Sequence, residues 1–179
     1  MHPRYNSTRD FMEKLKPIDY AILSALMKNS KISDRQLAKQ IGVSQPTVTR
    51  RRARMEKERL LDYTAIPDFA NLGFEILAFT FATSKKPGTS EKQVPKAKSF
   101  FDKRDEVIFV STGSGGKRDR MNISLHRSYS DYVKFMRALE NEWSDSMENR
   151  TSFIVSLKSD TIIRNLTFKH LGDYIQTNQ

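Results

Sequence analysis

The chain is predicted to be an α+β protein of two domains, a helical unit first and a unit of alternating strands and helices after it. Three observations predict this. Apolar side chains between Pro17 and Arg59 recur at helical spacings, with breaks at Lys28-Asn29-Ser30 and Gly42. From Ile76 onward, short runs alternate at every second position and are separated by helical patterns, in the order strand, helix, strand, strand, helix, strand. Charge divides as well: Met1–Thr64 holds 14 basic and 7 acidic side chains, leaving 17 and 14 for the rest of a 179-residue chain with net charge +10. An excess of that size, with a pI near 9.8, favours nucleic acid or another anionic partner.

Met1–Lys16 is polar with scattered apolar residues and reads as an arm or a short leading helix. From Pro17, the residues Ile18, Ile22, Leu23 and Leu26 form one apolar stripe. A second helix begins at Ser33, whose side chain and that of Gln36 make a capping box, and it buries Leu37, Ala38 and Ile41. Gly42 suits the left-handed residue that closes such a helix. The third helix spans Ser44–Arg59, SQPTVTRRRARMEKER. Ser44 is expected to cap its first-turn amides, and Pro46 sits where a missing N–H costs nothing. At about 100° per residue, Val48 and Met55 share one side. Pro46, Arg50, Ala53 and Lys57 point the other way, flanked by Thr47, Thr49 and Arg54. Such a face is either a solvated charged surface or a surface for a polyanion. Two helices, a tight turn and a third helix are the layout that presents the third helix to the major groove of DNA. Leu60–Pro67 alternates enough to predict a short strand pair, or wing.

The segment Ile18–Ile66 resembles the winged helix-turn-helix of the leucine-responsive and asparagine-operon regulator (Lrp/AsnC) family. The resemblance rests on the IS..QLA..IGVS..TV.RR core and on YTA after the third helix. It implies double-stranded DNA as partner. Gln45, Thr47, Thr49 and Arg50 are then the expected base readers, since arginine bonds guanine bidentately and glutamine bonds adenine. Arg35, Lys39, Ser44, Arg51, Arg52, Arg54 and Lys57 are the expected phosphate contacts, which set position and carry no sequence information. Two residues depart from the family. Arg52 occupies a slot that is usually apolar, and Arg59 stands where a glycine usually precedes the wing.

Phe69–Gly73 reads as a connector between domain 1–68 and domain 69–179. Ile76–Thr83 is a strand with Leu77, Phe79 and Phe81 on one face. Ser84–Thr89, with Pro87-Gly88, is a loop, and a helix beginning near Pro95 buries Ala97 and Phe101. Val107–Thr112 and Met121–Arg127 are strands joined by a glycine-rich loop over Gly113–Asp119. Ser128 and Asp131 cap a helix whose Tyr132, Met136, Leu139 and Trp143 face a core. Thr151–Leu157 is the last strand. This βαββαβ order is the split ferredoxin-like unit, similar to the regulatory domain of the same family. Thr161–Gln179 is compatible with either a helix or a further strand.

The resemblance implies that the stretch holding Gly116, Asp119 and Met121 binds a small effector such as an amino acid between subunits. The loop is no P-loop, because Lys117 is followed by Arg118 and then by a strand. No catalytic residue or cofactor is expected. Without cysteine, and with His2, His126 and His170 far apart, no metal site is expected either. The N-terminus lacks a signal-peptide core and no run approaches a membrane span, so a cytoplasmic, non-membrane protein is expected. The predicted function is a sequence-specific transcriptional regulator acting as a homodimer or higher oligomer. Two other functions use the same pattern: an enzyme resembling the tetrapyrrole (siroheme) decarboxylases, and a nonspecific architectural DNA binder.

Overall fold

A computed structural model describes residues 15–86 and 90–177. Most of the expected arm and the Pro87-Gly88 turn lie outside the described residues. The elements are α1 (Pro17–Lys28), α2 (Asp34–Ile41), α3 (Gln45–Lys57), β1 (Ile76–Ser84), α4 (Ser90–Phe101), β2 (Val107–Gly115), β3 (Arg118–His126), α5 (Tyr129–Trp143), β4 (Met147–Ser156) and α6 (Leu171–Thr177). They form two compact units, one from residues up to 66 together with those from 164 on, the other from Pro67–Ile163.

In the first unit, Ile22, Leu26, Leu37, Val48 and Met55 make a core with Ala25 and Ala38. Each large aliphatic side chain so buried contributes about 1.5–3 kcal/mol. The α2 capping box forms as expected: the Gln36 amide donates to Ser33 Oγ at 3.3 Å, and the Ser33 amide donates to Gln36 Oε1 at 3.2 Å. Gly42 closes α2 at φ 73°, with the Val43 amide bonded to Ala38 O at 3.0 Å. The end of α3 uses the same geometry without glycine. The Leu60 amide reaches Met55 O at 2.9 Å and the Arg59 amide reaches Glu56 O at 3.0 Å, which places Arg59 at φ 56°.

The expected wing is not formed: residues 61–68 have no regular secondary structure and pair with no strand among the described residues. Leu60 and Leu61 pack on the helical core, and the Tyr63 hydroxyl is bonded to α3 through Arg52 and Glu56. Tyr63 is therefore held by α3, and a lone two-stranded ribbon is marginal without further support. The C-terminal segment, assigned from sequence to the second domain, joins the first unit. Residues 161–168 are irregular, and α6 packs on α1 through the Lys28–Asp173 ion pair and Ser24 Oγ donating to Gln176 Oε1 at 3.2 Å.

The second unit is a four-stranded antiparallel sheet of order β2-β3-β1-β4, the ferredoxin-like arrangement expected. Alternation sorts its faces. Ile76, Ala78 and Thr80, opposite His126, Ser124 and Asn122, are buried beneath α5, whose Tyr132, Phe135, Leu139 and Trp143 are also buried. The other face carries Phe79 and Phe81 opposite Ile123 and Met121, with Phe153 beside Phe79. Ser128 caps α5, accepting from the Asp131 amide at 3.1 Å. α4 starts at Ser90, five residues before the expected start, and carries Pro95 inside it. β2 and β3 run further than predicted, so the glycine-rich loop shrinks to a two-residue turn. Gly116 (φ 54°) and Lys117 (φ 60°) give that turn the positive angles that match the twist of a hairpin. Among the described residues, no helix is long and apolar enough to cross a membrane.

Candidate nucleic-acid interface

The polar face of α3 is divided by its own period. Arg51 and Arg52 lie three and four residues from both Val48 and Met55, so their stems leave the helix on the buried side. Their guanidinium groups meet carboxylates of the scaffold. Arg51 Nη1 donates to Asp19 Oδ1 at 2.9 Å and to Oδ2 at 3.0 Å, and Arg54 Nη2 donates to Asp19 Oδ2 at 3.2 Å. Asp19 is wholly buried and also accepts the Lys16 amide at 2.9 Å, so one carboxylate caps α1 and anchors α3.

A second carboxylate does the same on the other flank. Asp34, the first residue of α2, accepts Arg52 Nη1 at 3.1 Å and Thr49 Oγ1 at 2.6 Å. Arg52 also donates to Glu56 and to the Tyr63 hydroxyl, and its guanidinium lies 4.9 Å from the centre of the Tyr63 ring. Partial burial works against the charge of Arg52, but hydrogen bonds and charge from Tyr63 and Asp34 outweigh it and hold its pKa above the ordinary value. Burial and the bond to Glu56 likewise push the Tyr63 phenol up, against the pull of Arg52, so Tyr63 stays neutral and donates to Glu56.

The sequence-predicted residues therefore fall into two sets. Arg51, Arg52, Arg54 and Thr49 are bonded to Asp19 or Asp34. Ser44 caps no amide with its side chain; its hydroxyl pairs with Thr47 Oγ1 at 2.8 Å, while its backbone carbonyl accepts the Thr47 and Val48 amides. Gln45 and Arg50 on α3, Arg35 and Lys39 on α2, and Lys57 are exposed, and among the described residues these four cations have no ion pair. An exposed guanidinium fork and an amide on one helix, with cations nearby, can donate to base edges and to phosphates. Sequence reasoning missed Asp19, Asp34, Glu56 and Tyr63. The available signal was the shared phase of Arg51, Arg52, Val48 and Met55.

In the second unit, Gly116 shapes the β2–β3 turn. Asp119 accepts the Ser84 amide at 2.9 Å and pairs with Arg120 at 3.3 Å, which ties β3 to the end of β1. Met121 sits in register with Phe81 and Ser111. The structure thus gives Asp119 a structural role beside the turn. His126 is buried against Tyr132 and Phe135, and Nε2 is 2.9 Å from Ser124 Oγ.

Residues 17–56 match the AsnC-type helix-turn-helix domain. The chain is 26% identical over 144 residues to an uncharacterized HTH-type transcriptional regulator of Pyrococcus abyssi, covering 79% of this chain and 91% of that protein. Two solved structures share its fold. E. coli AsnC has a TM-score of 0.62 at 24% identity, covering 85% of this chain and 97% of its own. The L-Met complex of a transcriptional regulator from Neisseria meningitidis has a TM-score of 0.69 at 16% identity, covering 86% and 96%. Residues 17–56 are thus a DNA-binding helix-turn-helix of the AsnC type, and with the antiparallel sheet that follows, the chain is similar over most of its length to transcriptional regulators of this two-domain layout.

Proposed function

We propose that the protein binds specific sequences of double-stranded DNA as a homodimer, with α3 in the major groove and a small effector such as an amino acid adjusting its activity. The observation that carries this is the division of the cations. Arg50 and Gln45 are exposed and, among the described residues, unbonded, which makes them candidates for base edges, with Thr47 beside them. Arg35, Lys39 and Lys57, likewise exposed and in no ion pair among the described residues, are candidates for phosphates. A single helix reads one groove, and a two-fold dimer places two of them about 34 Å apart along the duplex. The open sheet face supports the dimer: Phe153 is 69% exposed and Phe109 50%, on the same face as Phe79 and Ile123. The L-Met complex of the Neisseria meningitidis regulator supports an effector, for which the stretch around Gly116, Asp119 and Met121 is one candidate contact.

Selecting bound duplexes from a random pool tests the reading. Enrichment of a palindrome whose half-sites lie one or more helical turns apart is expected, and Arg50→Ala should relax the preference at one position of each half-site. Absence of enrichment, with equal affinity and equal salt dependence on all duplexes, would leave only architectural binding. Phe153→Glu should convert the dimer to monomers in sedimentation. An unchanged mass would remove the sheet face from the dimer.

A further inference from the structure

A cavity of about 370 Å³, open to solvent and lined only by residues of the second unit, lies between the helix-covered face of the sheet and helices α4 and α5. Small-molecule sites typically measure about 300–1,000 Å³ and are mostly apolar with a few convergent polar groups. The wall here has that character, with Val94, Ala97, Phe101, Leu139 and Met147 supplying apolar surface. Four of the lining residues carry a buried polar atom that finds no partner among the described residues: Gln93 Oε1, Asn122 Oδ1, Trp143 Nε1 and Arg150 Nη2. Asn122 is 6% exposed and Trp143 5%. Buried polar groups in folded proteins are nearly always bonded, so four such atoms around one cavity are a local exception.

Their chemistry defines a ligand. Trp143 and Arg150 can only donate, whereas the Asn122 and Gln93 oxygens accept. Lys98, Arg120 and Arg150 line the cavity with Asp102; Arg120 is paired with Asp119 and Arg150 with Glu140, so it is the two unpartnered donors, Trp143 Nε1 and Arg150 Nη2, that favour an anion. Arg150 is held in place by Glu140 through Nη1, leaving Nη2 for a ligand. We infer that this cavity binds a small carboxylic acid that carries an apolar group and a hydrogen-bond-donating substituent. The carboxylate meets Arg150 and the Trp143 indole, the donor meets Asn122 or Gln93, and the apolar group lies against α4 and α5. Of the residues expected around an effector between subunits, only Met121 borders this cavity. Binding here requires neither DNA nor a second subunit, so its failure leaves the DNA-binding reading untouched.

Trp143 is the only tryptophan of the chain, which makes its indole a specific reporter. The full chain is titrated with 3-phenyllactate, which has a carboxylate, a hydroxyl and a ring, while indole fluorescence and the single indole N–H resonance are followed. Saturable changes in both are expected. Arg150→Gln should weaken binding by about tenfold or more, as loss of a charge-assisted bond does. Ala97→Phe, which fills the cavity, should abolish binding. The neutral analogue 3-phenyl-1,2-propanediol should bind about tenfold more weakly. If Ala97→Phe fails to fold by circular dichroism, Arg150→Gln alone decides the site. No saturable movement of the indole resonance up to the solubility limit, or the same affinity in Arg150→Gln, overturns the site. Equal binding of the diol overturns the assignment to an acid.

Discussion

If Asp19 is the anchor of α3, removing either side of its ion pair should cost stability and leave the DNA contacts intact. Arg51→Ala strips two hydrogen bonds from a carboxylate with no solvent exposure, leaving it with Arg54 Nη2 and the Lys16 amide. Breaking a buried pair from one side costs about 3–5 kcal/mol. Arg54 remains as a partial counter-charge, and the Arg51 side chain is itself 17% exposed, so about 2–3 kcal/mol is expected here. That corresponds to a drop of about 1–2 M in the urea midpoint. Affinity for a random-sequence duplex is then measured across a salt series with the folded protein. Removing one cation that neutralises a phosphate should flatten the slope of log K against log salt by about 0.9. Arg51→Ala should leave that slope unchanged, whereas Lys39→Ala or Lys57→Ala should flatten it with the urea midpoint unmoved. A flattened slope for Arg51→Ala at unchanged stability would refute the division of the arginines.

Three further outcomes follow from particular residues. Arg59 adopts φ 56°, a conformation that costs an L-residue about 1–2 kcal/mol and glycine little, so Arg59→Gly should raise stability by about 0.5–1 kcal/mol in urea melts. Burial lowers the His126 pKa, against the opposing pull of Glu106 and Asp131. The unfolded chain then binds a proton that the folded one resists, so stability should fall as pH drops below about 6.5 and level off below the folded value. His126→Gln should flatten that limb of a pH series of melts; an unaltered limb assigns it to other groups. A Cβ on Gly172 would lie 2.8 Å from the Ser24 carbonyl oxygen, so Gly172→Val should detach α6 from α1. Amide exchange in α6 should accelerate to the rate of an unprotected helix, and unchanged protection would show that α1 yields to the side chain.

Much of the molecule is legible without coordinates because local rules decide it. Ser33 with Gln36, Gly42, and the stripe of Tyr132, Leu139 and Trp143 each specify a helix end or face through neighbours within a turn or two. Alternation over Ile76–Thr83 and Met121–Arg127 likewise specifies strands and, through them, the βαββαβ order. Other expectations failed where the deciding partner is distant or where two local rules compete. Pro95 obeys the rule for a first-turn residue, yet the helix begins at Ser90 and carries it inside. The wing pattern in Leu60–Pro67 is real, but Tyr63 is bonded to Arg52 and Glu56 and the segment finds no strand to pair with.

The arginine cluster draws the line most clearly. The sequence by itself determined that α3 is basic, follows a turn closed by Gly42 and keeps Arg50 and Lys57 away from Val48 and Met55. Only the tertiary structure decided that Asp19, 32 residues from Arg51, and Asp34, 18 residues from Arg52, bind the arginines beside the buried face. The reason is physical. A helix period assigns each side chain a direction, but whether a charge meets solvent or a carboxylate depends on which helix packs against it, and the packing of α1 and α2 on α3 is set by the whole core.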